Sequence, residues 1–236
     1  MVAIVILISS HQFSANSVRG AAFQYCSNHF LNCLGCWDSG WYLNVAKNGY
    51  TFLSSCQDQT AFGFFPLYPM TMRLLGAVIG DQFIAGIIIS NLLLFIASFF
   101  LFLLSDRICQ NKKTAMLSVL ILYFFPGSYL LSGVFSESAF ICFSVMCFYY
   151  FETDDYALCG ISGFFLTLTR PFGVLILLPL CLRYMQRNGL QFRLRSLFLL
   201  LIPMGILSFF AYCYFMTGDF LFYVHAKQLG WNNNYV

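Results

Sequence analysis

Phe83–Leu104, FIAGIIISNLLLFIASFFLFLL, is a run of 22 residues without a charge. As a helix rising about 1.5 Å per residue it is about 33 Å long, enough to cross the roughly 30 Å hydrocarbon core of a bilayer. The rest of the chain is of the same kind. Of its 236 residues 60% are hydrophobic and 9% are charged, against roughly 25% charged in a soluble domain. The 29 phenylalanines fall mostly in uncharged runs. A soluble globular protein is thereby excluded, and the fold class is all-α, a polytopic transmembrane helical bundle set in a lipid bilayer. The net charge is only +3 and the basic residues cluster chiefly in two loops; their placement reports membrane orientation and gives no reason to expect a nucleic-acid partner.

Downstream of this span, Asp106-Arg107-Ile108-Cys109-Gln110-Asn111-Lys112-Lys113 is short and basic, hence expected on the cytoplasmic side. Residues 114–131 are expected to cross next, with Pro126-Gly127 loosening the far end. Ser132, Gly133, Ser136, Glu137 and Ser138 make an outer turn, 139–151 returns, and Glu152-Thr153-Asp154-Asp155 turns inside. Arg183, Arg187, Arg193 and Arg195 form a second basic loop, also expected inside. An even number of crossings must then separate Asp155 from Arg183, so residues 157–182 go in and come back. Thr169-Arg170-Pro171 supplies the break, because proline ends a helix and pushes the residue before it out of helical geometry. Residues 196–217 cross last, and 218–236 end outside.

Upstream, residues 61–80 are apolar yet contain Pro66, Pro69 and Arg73, which reads as a re-entrant or interfacial helix. Residues 11–60 are polar and form a large first outer loop. Met1–Ser10 has about half the length a crossing needs and reads as a trimmed first span. The count is about seven crossings in a single domain over 1–236, expected to be incomplete at both ends, with a broken helical hairpin near its C-terminal end. No internal repeat is visible.

Chemistry concentrates on the outer side. Asp38, between Trp37 and Trp41, is a lone carboxylate among aromatics: a general base, or a helix cap at the interface with its tryptophans in an aromatic belt. Arg170 is the one charge in 157–182, where a central arginine costs on the order of 3 kcal/mol or more. A lipid phosphate suits its planar fork; snorkelling to the headgroups, or pairing with Glu137, is the plainer alternative. Glu137 orients Arg170, binds a hydroxyl, or is a solvated turn acid. His225 and Lys227 are candidates for the same phosphate, or surface residues. Cys33 and Cys36 lack a second pair for zinc, so no metal is expected; a disulfide with Cys26 or Cys56 stays open. Cys142, Cys147, Cys159, Cys181 and Cys213 lie in apolar runs as small hydrophobes. No phosphate-binding glycine loop is present, so a sugar donor would arrive already attached to a lipid.

Trp37-Asp38-Ser39-Gly40-Trp41-Tyr42 with Ala46 and Gly49-Tyr50, followed by Phe64-Phe65-Pro66-Leu67-Tyr68-Pro69, resembles the signature of the PIG-V type mannosyltransferases. That family comprises the second mannosyltransferase of glycosylphosphatidylinositol anchor synthesis and its bacterial relatives. Phe125-Pro126, Ser136-Glu137-Ser138, Thr169-Arg170-Pro171 with Gly173, Gly218-Asp219, His225-Ala226 and Trp231 follow in the expected order. The resemblance covers about residues 33–231 and implies a GT-C glycosyltransferase of the endoplasmic reticulum or bacterial inner membrane, working on the lumenal or periplasmic side. It implies inverting transfer of mannose from a polyprenyl (dolichyl) phosphate mannose donor to a glycolipid acceptor such as an anchor precursor, without a cofactor. Asp38 falls at the position of the base; Trp37, Trp41, Tyr42, Glu137, Arg170, His225 and Lys227 are the expected substrate contacts. Asp38 and Arg170 are expected to converge near the outer leaflet. The alternatives are a non-catalytic or truncated lipid-binding membrane protein, and a transporter or flippase for which Arg170 lines the substrate path.

Overall fold

The computed structural model describes residues 25–51, 60–189, 191 and 193–230. The expected first span Met1–Ser10, Cys56 and Trp231 lie outside the described residues. Among the described residues all regular structure is helical. Two compact units are formed, one from the described parts of Met1–Lys47 and Tyr68–Ser138, the other from those of Asn48–Leu67 and Ala139–Val236.

The first unit is built on helix Gln82–Cys109, 28 residues and about 42 Å long at 1.5 Å per residue. It starts cleanly because the Asp81 carboxylate accepts from the amides of Phe83 and Ile84, at 2.7 and 3.1 Å. It stops at Gln110, whose left-handed backbone closes the last turn onto Asp106. Asn111 then caps Lys112–Phe124 through the amides of Lys113 and Thr114. Two residues therefore suffice to reverse the chain, and Ser98 bonds Tyr123 across the antiparallel pair. The long helix buries Ala85, Gly86, Ser90, Ala97 and Ser98, with Phe83, Ile89 and Leu94 among them, and exposes Ile88, Leu92, Phe95 and Phe99. A mainly small and hydroxylated buried face with large apolar residues outside is the inverse of a water-soluble helix, and suits a surface solvated by lipid.

Leu67–Ile79 begins directly after Pro66 and places Pro69 in its first turn, where no intrahelical N–H bond is lost. At 13 residues it spans about 20 Å, in keeping with a helix that enters the interface without crossing. Residues 114–131, expected as one crossing, are divided: the helix ends at Phe124, Phe125 is extended ahead of Pro126, and a four-residue helix Tyr129–Ser132 follows. The pre-proline constraint acts here as a stop and not as a loosening.

In the second unit the expected hairpin is present as two helical arms. Tyr156–Thr169 ends at Arg170, which is extended (φ −155°, ψ 146°), and Pro171 opens a 3₁₀ turn, Pro171–Ile176, leading into Leu177–Asn188. Leu166, Ile176 and Leu180 join one buried cluster with Cys147, Phe151 and Cys159. Tyr156, at the start of the first arm, meets Tyr184 near the end of the second edge-on, ring centroids 6.0 Å apart. Glu152 pairs with both Arg183 and Arg187. The acidic turn and the basic stretch thus share one end of the hairpin, as the charge-parity argument requires.

Leu194–Leu200 and Leu201–Thr217 continue as one 24-residue apolar stretch. It and Gln82–Cys109 are long and apolar enough to cross a membrane, whereas helices such as Leu67–Ile79 and Tyr156–Thr169 are shorter. Among the described residues, helix length and composition therefore mark two candidate spans, against the seven crossings expected. Tyr156–Thr169 packs tightly on Leu201–Thr217 because glycines let the backbones close: a side chain at Gly160 would strike the Phe198 carbonyl, and one at Gly205 would strike Thr167 Oγ1 and the Phe164 carbonyl. Thr167 uses that proximity to donate to the Ile202 carbonyl at 2.9 Å. Gly205→Leu is expected to cost about 2 kcal/mol or more by overpacking. Leu207→Ala, at a half-exposed position on the same helix, should stay within about 0.5 kcal/mol. Thermal unfolding of the purified protein in detergent compares the two.

Candidate active site

The Trp-Asp motif lies in the first unit, where short polar bonds hold it against the turn before Glu137. The Val134 amide donates to the Leu34 carbonyl at 2.8 Å. Gly133 permits the approach, since a Cβ there would lie 2.8 Å from the same carbonyl oxygen. Ser39, fully buried, accepts from the Cys36 amide and donates from Oγ to the Val134 carbonyl at 2.8 Å. Tyr42, 4% exposed, shares a 2.8 Å hydrogen bond with Ser136 Oγ and sets its ring edge-on to Tyr68. Tyr68 in turn bonds Ser90 and the Gly86 carbonyl.

On this frame Asp38 is the residue before helix Ser39–Asn48, and its carbonyl receives the first helical bonds, from Trp41 and Tyr42. Its exposed carboxylate accepts no hydrogen bond from the described residues. The capping role is therefore carried by the backbone carbonyl, and the side chain is open to an outside partner. Trp37, with φ 45°, is 64% exposed and tilts against Phe135; Trp41 is half-buried. Glu137, half-buried, opens helix Glu137–Glu152 directly after Ser136. Asp38 directly precedes Ser39, bonded to Val134, and Glu137 directly follows Ser136, bonded to Tyr42, so the two acids occupy adjoining elements. Cys26, Cys33 and Cys36 are free thiols.

Tyr42, expected among the substrate contacts, shares its hydroxyl's bond with Ser136 and so braces the turn as well. Tyr42→Phe should lower stability by about 1 kcal/mol, read from the thermal unfolding midpoint, because Ser136 is left buried with that bond gone.

The cationic candidates lie in the second unit. Arg170 is half-buried at the hairpin break, and its charge reaches Tyr223: burial pushes the tyrosine hydroxyl's pKa up, and the Arg170 charge pulls it back. Tyr223 packs its ring edge-on to Phe65 at 5.0 Å and alongside Phe210. Lys227, one turn further on helix Phe222–Gly230, sets its ammonium 4.6 Å from the centre of the Phe64 ring. The backbone of that phenylalanine is fixed by Tyr50, whose hydroxyl donates to the Phe64 carbonyl at 2.7 Å. Positions four apart share a helix face. Tyr223 and Lys227 therefore share one side, beside Phe65 and Phe64, and the Arg170 charge acts on Tyr223.

His225 does not join them. Two residues from each of Tyr223 and Lys227, it points away at about 200° of helical rotation, is half exposed, and pairs its Nδ1 with Asp219 Oδ2 at 2.5 Å. That bond, with one from the Leu221 amide, holds the Asp219 carboxyl below the usual carboxylate range. Tyr223 escaped the sequence reading because a tyrosine beside a span looks like an interfacial belt residue; its place four residues before Lys227 was the available signal.

Comparison with known proteins adds one finding. A family model described as Mannosyltransferase (PIG-V) matches residues 7–224. The match takes in Asp38, Glu137 and Arg170 and stops one residue before His225. No curated protein and no solved structure matches the chain.

Proposed function

Because the chain belongs to the PIG-V mannosyltransferase family, we propose that it moves mannose from a polyprenyl-phosphate mannose, dolichyl or bacterial, to a hydroxyl of a glycolipid acceptor. The chain is then a multi-pass membrane enzyme with its site on the lumenal or periplasmic side. The observation that carries the reading is Asp38: an exposed carboxylate that accepts no hydrogen bond from the described residues, beside two tryptophans, on a turn held by four buried hydrogen bonds.

The reaction follows from what such a carboxylate and a cationic group do. Asp38 takes the proton of the acceptor hydroxyl as its oxygen attacks the anomeric carbon of mannose. The bond from that carbon to the phosphate oxygen breaks, and polyprenyl phosphate leaves with the electron pair. Attack from the face opposite the leaving phosphate inverts the anomeric centre. Arg170 binds the phosphate and stabilises the charge that grows on it, a planar fork suited to phosphate oxygens. Lys227 supplies a second positive charge, and Trp37, Trp41 and Glu137 contact sugar hydroxyls and ring faces. Tyr42 acts through Ser136. His225, tied to Asp219, is assigned a lesser part at the headgroup surface. The reading is tested by mannosyl transfer in membranes that contain the chain, with Asp38 and Arg170 variants compared with wild type as set out below.

A further inference from the structure

At the opposite end of the hairpin from Arg170, the polar turn between Glu137–Glu152 and Tyr156–Thr169 surrounds a hollow that the transfer reaction does not use. It measures about 400 Å³ and is lined by Thr153, Asp154, Asp155, Tyr156, Arg195 and Phe198, a size within the ~300–1,000 Å³ of small-molecule sites. Its charges are of both signs. Arg183 and Arg187 are engaged by Glu152, and Arg187 also lies 3.9 Å from Asp154. Arg195 is exposed and has no ion pair among the described residues. Asp154 keeps its side chain 65% exposed. Asp155 is exposed and gives one oxygen to the Leu158 amide. Phe198, 48% exposed, adds an apolar wall.

A ligand that matches this lining carries an anion and a cation on a short linker and continues into an apolar tail. A purely anionic lipid would meet two carboxylates, and a simple cation would meet Arg195. The hollow also sits where polar turns join apolar helices, the level at which headgroups lie. We propose that it seats the headgroup of a zwitterionic phospholipid with a primary ammonium. The phosphate rests on Arg195, the ammonium donates hydrogen bonds to Asp154 and Asp155, and the glycerol end leads along Phe198. Charge-assisted bonds at both ends give selectivity that a generic basic collar would lack.

Native mass spectrometry of the full chain, delipidated in detergent and titrated with phosphatidylethanolamine or phosphatidylglycerol, tests this. Wild type should retain phosphatidylethanolamine preferentially. Arg195→Gln, and Asp155→Asn, which keeps an oxygen for the Leu158 amide, should each lower that retention at least about tenfold at an unchanged unfolding midpoint. Asp155→Asn should leave phosphatidylglycerol retention undiminished, since it removes only the ammonium's partner. Equal retention of the two lipids by wild type, or wild-type phosphatidylethanolamine retention in both variants, overturns the proposal.

Discussion

Asp38→Asn is expected to lower mannosyl transfer by a factor of about 10²–10⁴, the scale for loss of a positioned general base, and to leave the unfolding midpoint where it was. The asymmetry follows from how the residue is held. The fold uses the Asp38 carbonyl, which starts helix Ser39–Asn48, and the neighbouring Ser39 hydroxyl, which bonds Val134. It does not use the carboxylate, which is exposed and takes no hydrogen bond from the described residues. Asparagine keeps the shape and the carbonyl, so only proton acceptance is lost. Initial rates of label transfer and a detergent melt of the same preparation read both halves. A variant that melts early would show that the carboxylate supports the turn; one that turns over normally would remove Asp38 from the chemistry.

Arg170→Gln is expected to lower kcat/KM for the lipid-linked donor by about 10²–10³, the scale for removing one preorganised stabiliser of transition-state charge. Arg170→Lys should recover part of it, because lysine restores the charge without the two-pronged geometry. Arg170 is extended between Thr169 and Pro171, a geometry the following proline imposes, so the hairpin break should form in the variant. Varying donor and acceptor separately makes the assignment specific: the loss should follow the donor, with the acceptor KM unchanged. A loss shared equally by both substrates, together with a lower midpoint, would mark Arg170 as structural.

What was legible in the sequence is what local rules govern. The long span needed only composition, and helix Gln82–Cys109 contains all of it. The break at Arg170 needed only proline, and the charge parity of two loops anticipated that Glu152 and Arg183 would share an end. Proline also caused the error at Phe125: the pre-proline constraint was applied at Arg170 but softened at Pro126, and the helix stops there all the same. The site was legible as residue types and not as arrangement. The bond that holds Asp38's turn joins Ser39 to Val134, 95 positions away, and no local pattern encodes such a pairing. His225 and Lys227 look like neighbours in sequence, but once Phe222–Gly230 is helical they face apart, and Tyr223 replaces His225 beside Lys227. Tyr42 was expected as a contact from the resemblance; that it also braces the frame is visible only in its burial and its bond to Ser136.

The most direct test of the account supplies membranes containing the chain with purified polyprenyl-phosphate mannose, tritiated in the sugar, in the absence of nucleotide sugars, and follows label into a glycolipid extract. Chain-dependent labelling that Asp38→Asn removes is the predicted result. Label that stays on the donor lipid with wild-type protein, or that reaches glycolipid only when a nucleotide-linked mannose is added, would contradict it.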